Sequence, residues 1–241
     1  MYKYKAFFSY KRHPLTDEWH GELMVRIQFW LSQELGVQDA PIFFDSRSIG
    51  NGLAFDKVIS DALKQSTVII SVMSPLYFTS AHCRAEIGTF IEREDHLGQN
   101  RGSLISCARF HDGASYPIPF SKMQAEDFAE FANPASAFWN SPAGVAFQPR
   151  IRAFAGAIAE KIKAAPDWDN SFPDPPFDPN GGPLPERIKR PAAVLAAGMH
   201  DRREMRPDHQ LLFVQGRSGA FDGARQRGCT VVQVWKVRTG G

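Results

Sequence analysis

The stretch SPLYFTSAHCRAE, residues 74–86, directly follows the apolar run TVIISVM, residues 67–73. That run is short, rich in β-branched residues and not alternating, which predicts a buried strand with both faces covered. Ser74 is a good N-cap and Pro75 suits a first helical turn, so we expect one helix from the end of the strand to about Glu94. The centre of the chain is therefore predicted to be a strand–helix unit.

Glu86 is the first candidate for a functional side chain in this helix. Small and apolar residues recur at steps of three and four, which predicts one buried stripe: Leu76, Ser80, Cys83, Ile87 and Phe90. Glu86 lies beside the stripe, one turn after His82, so the two side chains share a flank at the rim of the core. A carboxylate in that place is partly desolvated and still reaches a cleft at the strand ends.

Strand and helix patterns alternate along the rest of the first 165 residues. Further strands are predicted at Tyr4–Tyr10, Pro41–Phe44 and Leu104–Ala108, with a short fifth strand within Met123–Phe128. Helices are predicted from about Trp19 to Leu35 with Gly36 as a stop, from Phe55 to Gln65, and from roughly Gly144 to Ala164 with Phe147, Ile151, Phe154 and Ile158 facing inward. This alternation predicts an α/β fold with a parallel sheet covered on both faces.

The loops after the first three strands carry the polar residues of interest. In parallel sheets of this kind, ligands bind in the crevice at the carboxyl ends of the strands. Ser9–Arg12, Asp45–Gly52 and Ser74–Glu86 all follow or end strands, so the topology alone predicts that they converge at that edge.

The chain changes character at Pro166. Residues 166–190 are rich in proline and acidic at first, which is typical of an extended linker. In residues 191–241, Leu211–Val214 and Thr230–Val237 are possible strands, but two isolated strands are marginal in water. This tail either packs on the main domain, folds with a partner or is a remnant of a longer protein.

Composition narrows the class of protein. Three scattered cysteines, Cys83, Cys107 and Cys229, do not form a disulfide framework or a zinc site, which favours a reducing, cytoplasmic setting. No signal peptide is recognisable, and no apolar run approaches the ~20 residues that span a bilayer. A net charge of +2 does not indicate nucleic-acid binding. No phosphate-binding glycine loop is present, so no bound dinucleotide cofactor is predicted.

Several spaced motifs resemble those of Toll/interleukin-1 receptor (TIR) domains. The segment AFFSYKR, residues 6–12, resembles the family's opening box, and Asp45–Gly52 resembles its BB loop. Ser74, Tyr77, Ser80, Cys83 and Glu86, at intervals of three, are similar to the pattern of bacterial enzymatic members. The resemblance covers about residues 1–165 and implies a flavodoxin-like three-layer fold around a parallel five-stranded sheet.

The resemblance also implies an activity and a set of site residues. Glu86 would be the catalytic glutamate of an NAD+ glycohydrolase, with NAD+ as substrate, no cofactor and no metal. The implied substrate-binding residues are Ser9, Tyr10, Lys11, Arg12, Asp45, Tyr77 and His82: Lys11 and Arg12 suit the pyrophosphate, and Tyr10 or Tyr77 could flank a ring. Ile49, Gly50 and Gly52 of the BB loop would serve loop shape and assembly between copies. Many enzymatic members have tryptophan where this chain has His82.

Three functions stay open on the sequence. The first is an NAD+-consuming effector or signal generator of prokaryotic immunity, activated by self-assembly, with a sensor protein or fused domain as a possible partner. Its products would be nicotinamide and either ADP-ribose or a cyclic isomer. The second is a TIR scaffold that docks other TIR domains without chemistry. The third is a nucleoside deoxyribosyltransferase-like enzyme, which has a similar sheet and a catalytic glutamate.

Overall fold

The computed structural model of the chain describes residues 1–45, 53–98, 104–111, 113–118 and 120–173, with side chains from residue 57 onward in the second helix. The predicted BB-loop residues Ile49, Gly50 and Gly52 lie outside the described residues. The tail and all of the linker beyond residue 173 do so as well.

Five of the described segments form a parallel sheet at the centre of the domain. Its strands are β1 (Tyr4–Tyr10), β2 (Ile42–Phe44), β3 (Ser66–Met73), β4 (Ile105–Arg109) and β5 (Glu126–Asp127). Every neighbouring pair is parallel, and the strand order is β2-β1-β3-β4-β5. The predicted fold class is therefore confirmed, including the short fifth strand.

Burial explains why β1 and β3 form the middle of the sheet. All eight residues of β3 are buried, as are the last five of β1, so neither strand has a solvent-facing side. The two strands pair over most of their length, from Tyr4 with Ser66 to Tyr10 with Val72. Continuous β-branched and aromatic runs suit this doubly covered position, because neither face needs polar side chains.

Within the described ranges, five α-helices connect and cover the strands. They are α1 (Asp17–Leu35), α2 (Leu53–Lys64), α3 (Pro75–Thr79), α4 (Ala81–Leu97) and α5 (Pro142–Ala164). Helix α1 ends where predicted, at Gly36, whose φ of 65° is left-handed. The connections leave β1 and β2 in opposite directions along the sheet, so right-handed crossovers place α1 and α2 on opposite faces. Helix α5 packs beside α1, and its four predicted inward residues are all buried.

The prediction of a single helix after β3 is wrong, because Ser80 divides this region into α3 and α4. Ser80 has extended backbone angles (φ −80°, ψ 122°), and its hydroxyl accepts the Cys83 N–H at 3.4 Å as the N-cap of α4. Serine favours such caps over helix interiors. The predicted buried stripe fails in the same place: Leu76 is 52% exposed, whereas Cys83, Ile87 and Phe90 are buried.

Residues 166–173, the start of the predicted linker, pack against the amino-terminal ends of the strands. The Phe172 ring is buried and stacks on Tyr2 at 6.3 Å. It also covers the guanidinium of Arg93, which lies between Phe172 and Phe90 at 4.6 and 4.3 Å. Arg93 in turn donates to the carbonyls of Ser66 and Leu63 at 2.8 and 2.9 Å. This part of the segment is thus a strap on the domain.

In the stretches that the structure describes, no helix is both long and apolar enough to cross a membrane.

We expect Phe172→Ala to lower the free energy of unfolding by about 3 kcal/mol, because it removes a buried ring and uncovers the Arg93 cation. Val145→Ala on α5, where the side chain is 65% exposed, is the matched control and should change stability by less than about 0.5 kcal/mol. Urea denaturation of both variants tests this. Equal stabilities would show that the strap contributes nothing to the fold.

Candidate functional site

A cleft opens at the carboxyl end of β1. The chain leaves β1 toward β2 on one side and returns past it to β3 on the other, and this reversal creates a crevice at the strand ends. The cleft has a volume of about 140 Å3. Its lining residues are Phe7, Phe8, Tyr10, Lys11, Arg12, Asp45, Ser80, His82, Cys83 and Glu86. Residues from the end of β1, Asp45 and the start of α4 therefore meet at this edge, as the topology predicts, whereas residues 46–52 lie outside the described residues.

Glu86 lies in the second turn of α4 and presents its carboxyl group to the cleft. Its Oε2 accepts a hydrogen bond from the Ser9 hydroxyl at 2.5 Å. Burial raises the pKa of Glu86 to about 8; the Ser9 hydrogen bond opposes this rise, the charge of Asp45 adds to it, and the charge of Arg12 opposes it. The site therefore holds a carboxyl group that changes charge near neutral pH, as acid–base groups in active sites do.

Ser9 and Tyr77 lie behind Glu86 and not on the cleft surface, so the expectation that they bind substrate is not supported by their positions. Ser9 is 1% exposed and Tyr77 is fully buried. The Ser9 hydroxyl is 2.7 Å from the Tyr77 hydroxyl, which lies 3.4 Å from the Ser71 hydroxyl. Tyr77 follows β3 by only a few residues, and its ring is directed into the core. The interpretation of Tyr77 as a ring that flanks substrate is replaced by one in which it supports Ser9.

Arg12 and Asp45 join the ends of β1 and β2 at the mouth of the cleft. The Arg12 Nη2 lies 2.5 Å from the Asp45 Oδ1 and donates to the Asp45 carbonyl at 2.6 Å, and Nε donates to the same carbonyl at 3.1 Å. Tyr10 adds a fourth contact, from its hydroxyl to that carbonyl at 3.2 Å. This clamp ties the residue that follows β2 to the loop that follows β1.

Tyr10 is packed into the cleft wall. Its ring stacks on Phe44 at 5.2 Å with an interplanar angle of 14°, and it lies 4.6 Å from the His20 ring. Burial raises the pKa of Tyr10 to about 12, so its hydroxyl remains a neutral donor at physiological pH. Tyr10 therefore gives the cleft an aromatic wall that does not titrate.

Lys11 and His82 form more open parts of the cleft. Lys11 follows β1 directly and is partly exposed, and His82 is exposed one helical turn before Glu86. Both line the cleft, as does Arg12, so the cationic side of the site is built from the loop after β1. A histidine at this place presents a flat ring beside the carboxyl group.

Cys83 lines the cleft without the properties of a nucleophile. The side chain is 4% exposed, and its thiol donates to the Tyr10 carbonyl at 3.5 Å. Burial raises the pKa of the Cys83 thiol, and the nearby Glu86 adds to this, so the reactive thiolate is disfavoured. No cluster of three His, Cys, Asp or Glu side chains with metal-ligand geometry occurs among the residues whose positions are described.

A comparison with protein-family models identifies residues 26–138 as a TIR domain. A search of curated proteins gives no match. Among solved structures, the TIR domains of the activated Roq1 resistosome directly recognizing the pathogen effector XopQ match with 14% sequence identity and a TM-score of 0.32. The match covers 81% of this chain and 99% of that chain.

The raised pKa of Glu86 predicts a particular dependence of stability on pH. Its folded value of about 8 exceeds the ordinary 4.5, so the folded state binds the proton more tightly than the unfolded state. The resulting stabilisation is complete below pH 4.5 and is lost as the pH rises through 8. Relative to Glu86→Gln, which cannot ionise, the wild-type protein should lose a few kcal/mol of unfolding free energy between pH 5 and pH 9.

Urea denaturation of both proteins at each pH measures that difference. Parallel pH profiles for the wild-type protein and Glu86→Gln would mean that the carboxyl group ionises near its ordinary pKa and is not desolvated.

Proposed function

This chain carries a domain of the TIR family, and we propose that the cleft around Glu86 is the active site of an NAD+ glycohydrolase. The observation that carries the proposal is the Glu86 carboxyl group, partly desolvated at the strand-end crevice and hydrogen-bonded to Ser9 at 2.5 Å. A glutamate that served only as a solvated surface residue would be neither desolvated nor hydrogen-bonded to a buried serine. The activity itself is inferred from this geometry together with the family resemblance of residues 74–86.

The chemistry requires one carboxylate in this environment. Cleavage breaks the bond between the nicotinamide nitrogen and the ribose C1′, and the electron pair of that bond leaves with nicotinamide as a neutral base. The ribose C1′ becomes oxocarbenium-like, as in glycoside hydrolysis. The Glu86 carboxylate stabilises that positive charge and orients the ribose hydroxyls. Water then adds to C1′ and loses a proton to give ADP-ribose, or a ring nitrogen of the adenine adds to give a cyclic isomer.

The other cleft residues suit the remaining parts of NAD+. Lys11 and Arg12 provide positive charge for the pyrophosphate, although Arg12 already shares its charge with Asp45 in the clamp. The His82 ring, at the mouth and one turn before Glu86, suits stacking on the nicotinamide ring. A histidine stacks more weakly than a tryptophan because its aromatic surface is smaller, so we expect weaker substrate binding than in a tryptophan-bearing site.

The size of the cleft supports a site completed by assembly. Pockets that enclose small ligands are usually ~300–1,000 Å3, whereas this cleft is about 140 Å3. The described residues of one copy thus enclose only part of a dinucleotide. The chain beyond Asp45, where the BB-loop resemblance lies, and a neighbouring copy are the proposed sources of the rest. We propose a self-associating effector or signal generator of prokaryotic immunity, controlled by a sensor protein or fused domain.

A docking TIR domain without chemistry is the second candidate, and one observation favours it. Val25 and Phe29, one turn apart on α1, are 54% and 55% exposed. Such an apolar pair on a helix surface suits contact with another protein. Incubation of concentrated protein with NAD+ and measurement of released nicotinamide separate the two candidates, since a scaffold releases none.

We expect Glu86→Gln to lower the rate of NAD+ cleavage at least about 100-fold while the domain stays folded, because the neutral amide cannot stabilise the developing positive charge. The control is Asp95→Asn, which makes the same kind of change at an exposed position of the same helix and should leave the rate unchanged. Chromatography of the reaction products at high protein concentration measures both. Undiminished cleavage by Glu86→Gln would reject the catalytic role.

A further inference from the structure

Four side chains form a continuous line from the cleft into the core. The Glu86 Oε2 lies 2.5 Å from the Ser9 hydroxyl, which is 2.7 Å from the Tyr77 hydroxyl, and this in turn is 3.4 Å from the Ser71 hydroxyl. Beyond Glu86 the line is closed to solvent, because Ser9 is 1% exposed and both Tyr77 and Ser71 are fully buried. Buried polar groups arranged in this way depend on one another for their hydrogen bonds.

The line is attached to the two central strands and to a capped helix. Ser9 and Ser71 are direct partners in the register of β1 and β3, the two central strands. Tyr77 is held by α3, whose first turn is capped by the Ser74 hydroxyl through the Tyr77 N–H at 3.1 Å. The hydroxyl positions are therefore set by the sheet and a capped helix and not by a loop.

We propose that Ser9 and Tyr77 are positioning residues that hold the Glu86 carboxyl group through a hydrogen-bond chain whose direction reverses when Glu86 gains or loses its proton. The effect of this chain on turnover rests on the proposed function, but the chain itself does not.

The charge state of Glu86 sets the direction in which each hydroxyl group of the line donates its proton. An ionised Glu86 has no proton, so Ser9 donates to it and Tyr77 donates to Ser9. A Ser9–Glu86 distance of 2.5 Å is in the range of a hydroxyl that donates to a carboxylate, roughly 2.5–2.7 Å. A protonated Glu86 donates to Ser9, Ser9 then donates to Tyr77, and Tyr77 donates to Ser71. In both states the Ser9 and Tyr77 hydroxyl groups each donate to a neighbour in the line, and no heavy atom moves.

The chain positions Glu86 and does not conduct protons to solvent. Its inner end, Ser71, is fully buried, so no proton can leave the molecule in that direction. A proton that Glu86 releases must exit through the cleft. The chain instead keeps the carboxyl oxygen in one place in both charge states of Glu86, and a fixed position is required for electrostatic stabilisation of a transition state.

The other charged and titratable groups near Glu86 do not replace this contact. They come from the ends of β1 and β2 and from α3 and α4: Tyr10, Lys11, Arg12, Asp45, Tyr77, His82 and Cys83. Arg12 favours the ionised form of Glu86, whereas Asp45 disfavours it, so the two act against each other. Burial raises the pKa values of Tyr77 and Cys83, which keeps both neutral. The Ser9 hydroxyl thus supplies the direct contact that favours the carboxylate.

The test compares three conservative substitutions along the line. Ser9→Ala removes the donor to the carboxylate, and Tyr77→Phe removes only the hydroxyl that supports that donor while the ring still packs. Ser71→Ala is the matched control: it makes the same chemical change as Ser9→Ala at an equally buried position of the neighbouring strand, two hydroxyl groups away from Glu86. Because Tyr77→Phe retains its packing, it keeps the test decisive if Ser9→Ala does not fold.

The primary measurement is the titration of the Glu86 carboxyl carbon by NMR with ¹³C-labelled glutamate, with Glu86→Gln to assign the signal. We expect Ser9→Ala to raise the pKa of Glu86 by about 1 and Tyr77→Phe by about half as much, because a hydrogen bond to the charged form is lost or weakened. Ser71→Ala should change it by less than about 0.3, since that hydroxyl contacts Tyr77 only at 3.4 Å and is separated from Glu86 by two hydroxyl groups. The pH profile of kcat/KM should move to higher pH by the same amounts.

An unchanged titration of Glu86 in both Ser9→Ala and Tyr77→Phe would overturn the proposal, as would an equal change in Ser71→Ala. The titration does not depend on turnover, so the two proposals fail separately. A wild-type protein that leaves NAD+ intact while its variants show the expected titration rejects the glycohydrolase and supports the chain. A wild-type protein that cleaves NAD+ while its variants titrate identically rejects only the chain.

Discussion

The structure of the site depends on a balance at one carboxyl group, between the cost of burying Glu86 and the hydrogen bond that Ser9 gives it. Burial alone would raise the pKa of this side chain further, because a charge in a poorly hydrated environment is strongly disfavoured. The Ser9 contact at 2.5 Å and the Arg12 charge oppose that effect and bring the pKa of Glu86 to about 8. A group balanced in this way is available in either charge state close to physiological pH.

The sheet order makes this balance possible. Because β1 lies between β2 and β3, the residues that end β1 and β2 meet at one edge, and α4 brings Glu86 to the same edge. The Arg12–Asp45 clamp joins two of these ends, and the pairing of Ser9 with Ser71 joins β1 to the strand that leads into α3. The strap at the opposite ends of the strands, through Phe172 and Arg93, contacts the far half of α4. Helix α4 is therefore anchored at both ends of the sheet.

Much of this architecture is readable from the sequence, because it depends on local patterns. The β1 bounds, the Gly36 stop, the inward face of α5 and the meeting of the β1 end with Asp45 and the start of α4 all follow from hydrophobic period, helix caps and the behaviour of parallel strands. These features can be predicted without knowing which residues far apart in the chain contact each other. The resemblance of the chain to TIR domains follows from several motifs that occur together at the family's spacing.

The features that the sequence does not predict depend on competition between alternative local structures and on contacts between residues far apart in the chain. Ser80 could continue a helix or cap a new one, and the second outcome prevails because its hydroxyl finds the Cys83 N–H. Tyr77 and Ser9 are polar side chains near a predicted site, so sequence reasoning assigns them to substrate, and only their burial shows that they face Glu86. Phe172 sits in a proline-rich stretch that reads as linker, and its place over Arg93 arises from a contact that no local pattern encodes.

The most direct measurement of the central claim is a crystal structure of Glu86→Gln with bound NAD+, in which the substrate is not consumed. We expect the nicotinamide ribose to lie in the cleft at the carboxyl end of β1, with a ribose hydroxyl about 3 Å from the side chain at position 86. Density for NAD+ that places this ribose outside the cleft, away from position 86 and the Arg12–Asp45 clamp, would contradict the assignment of the site.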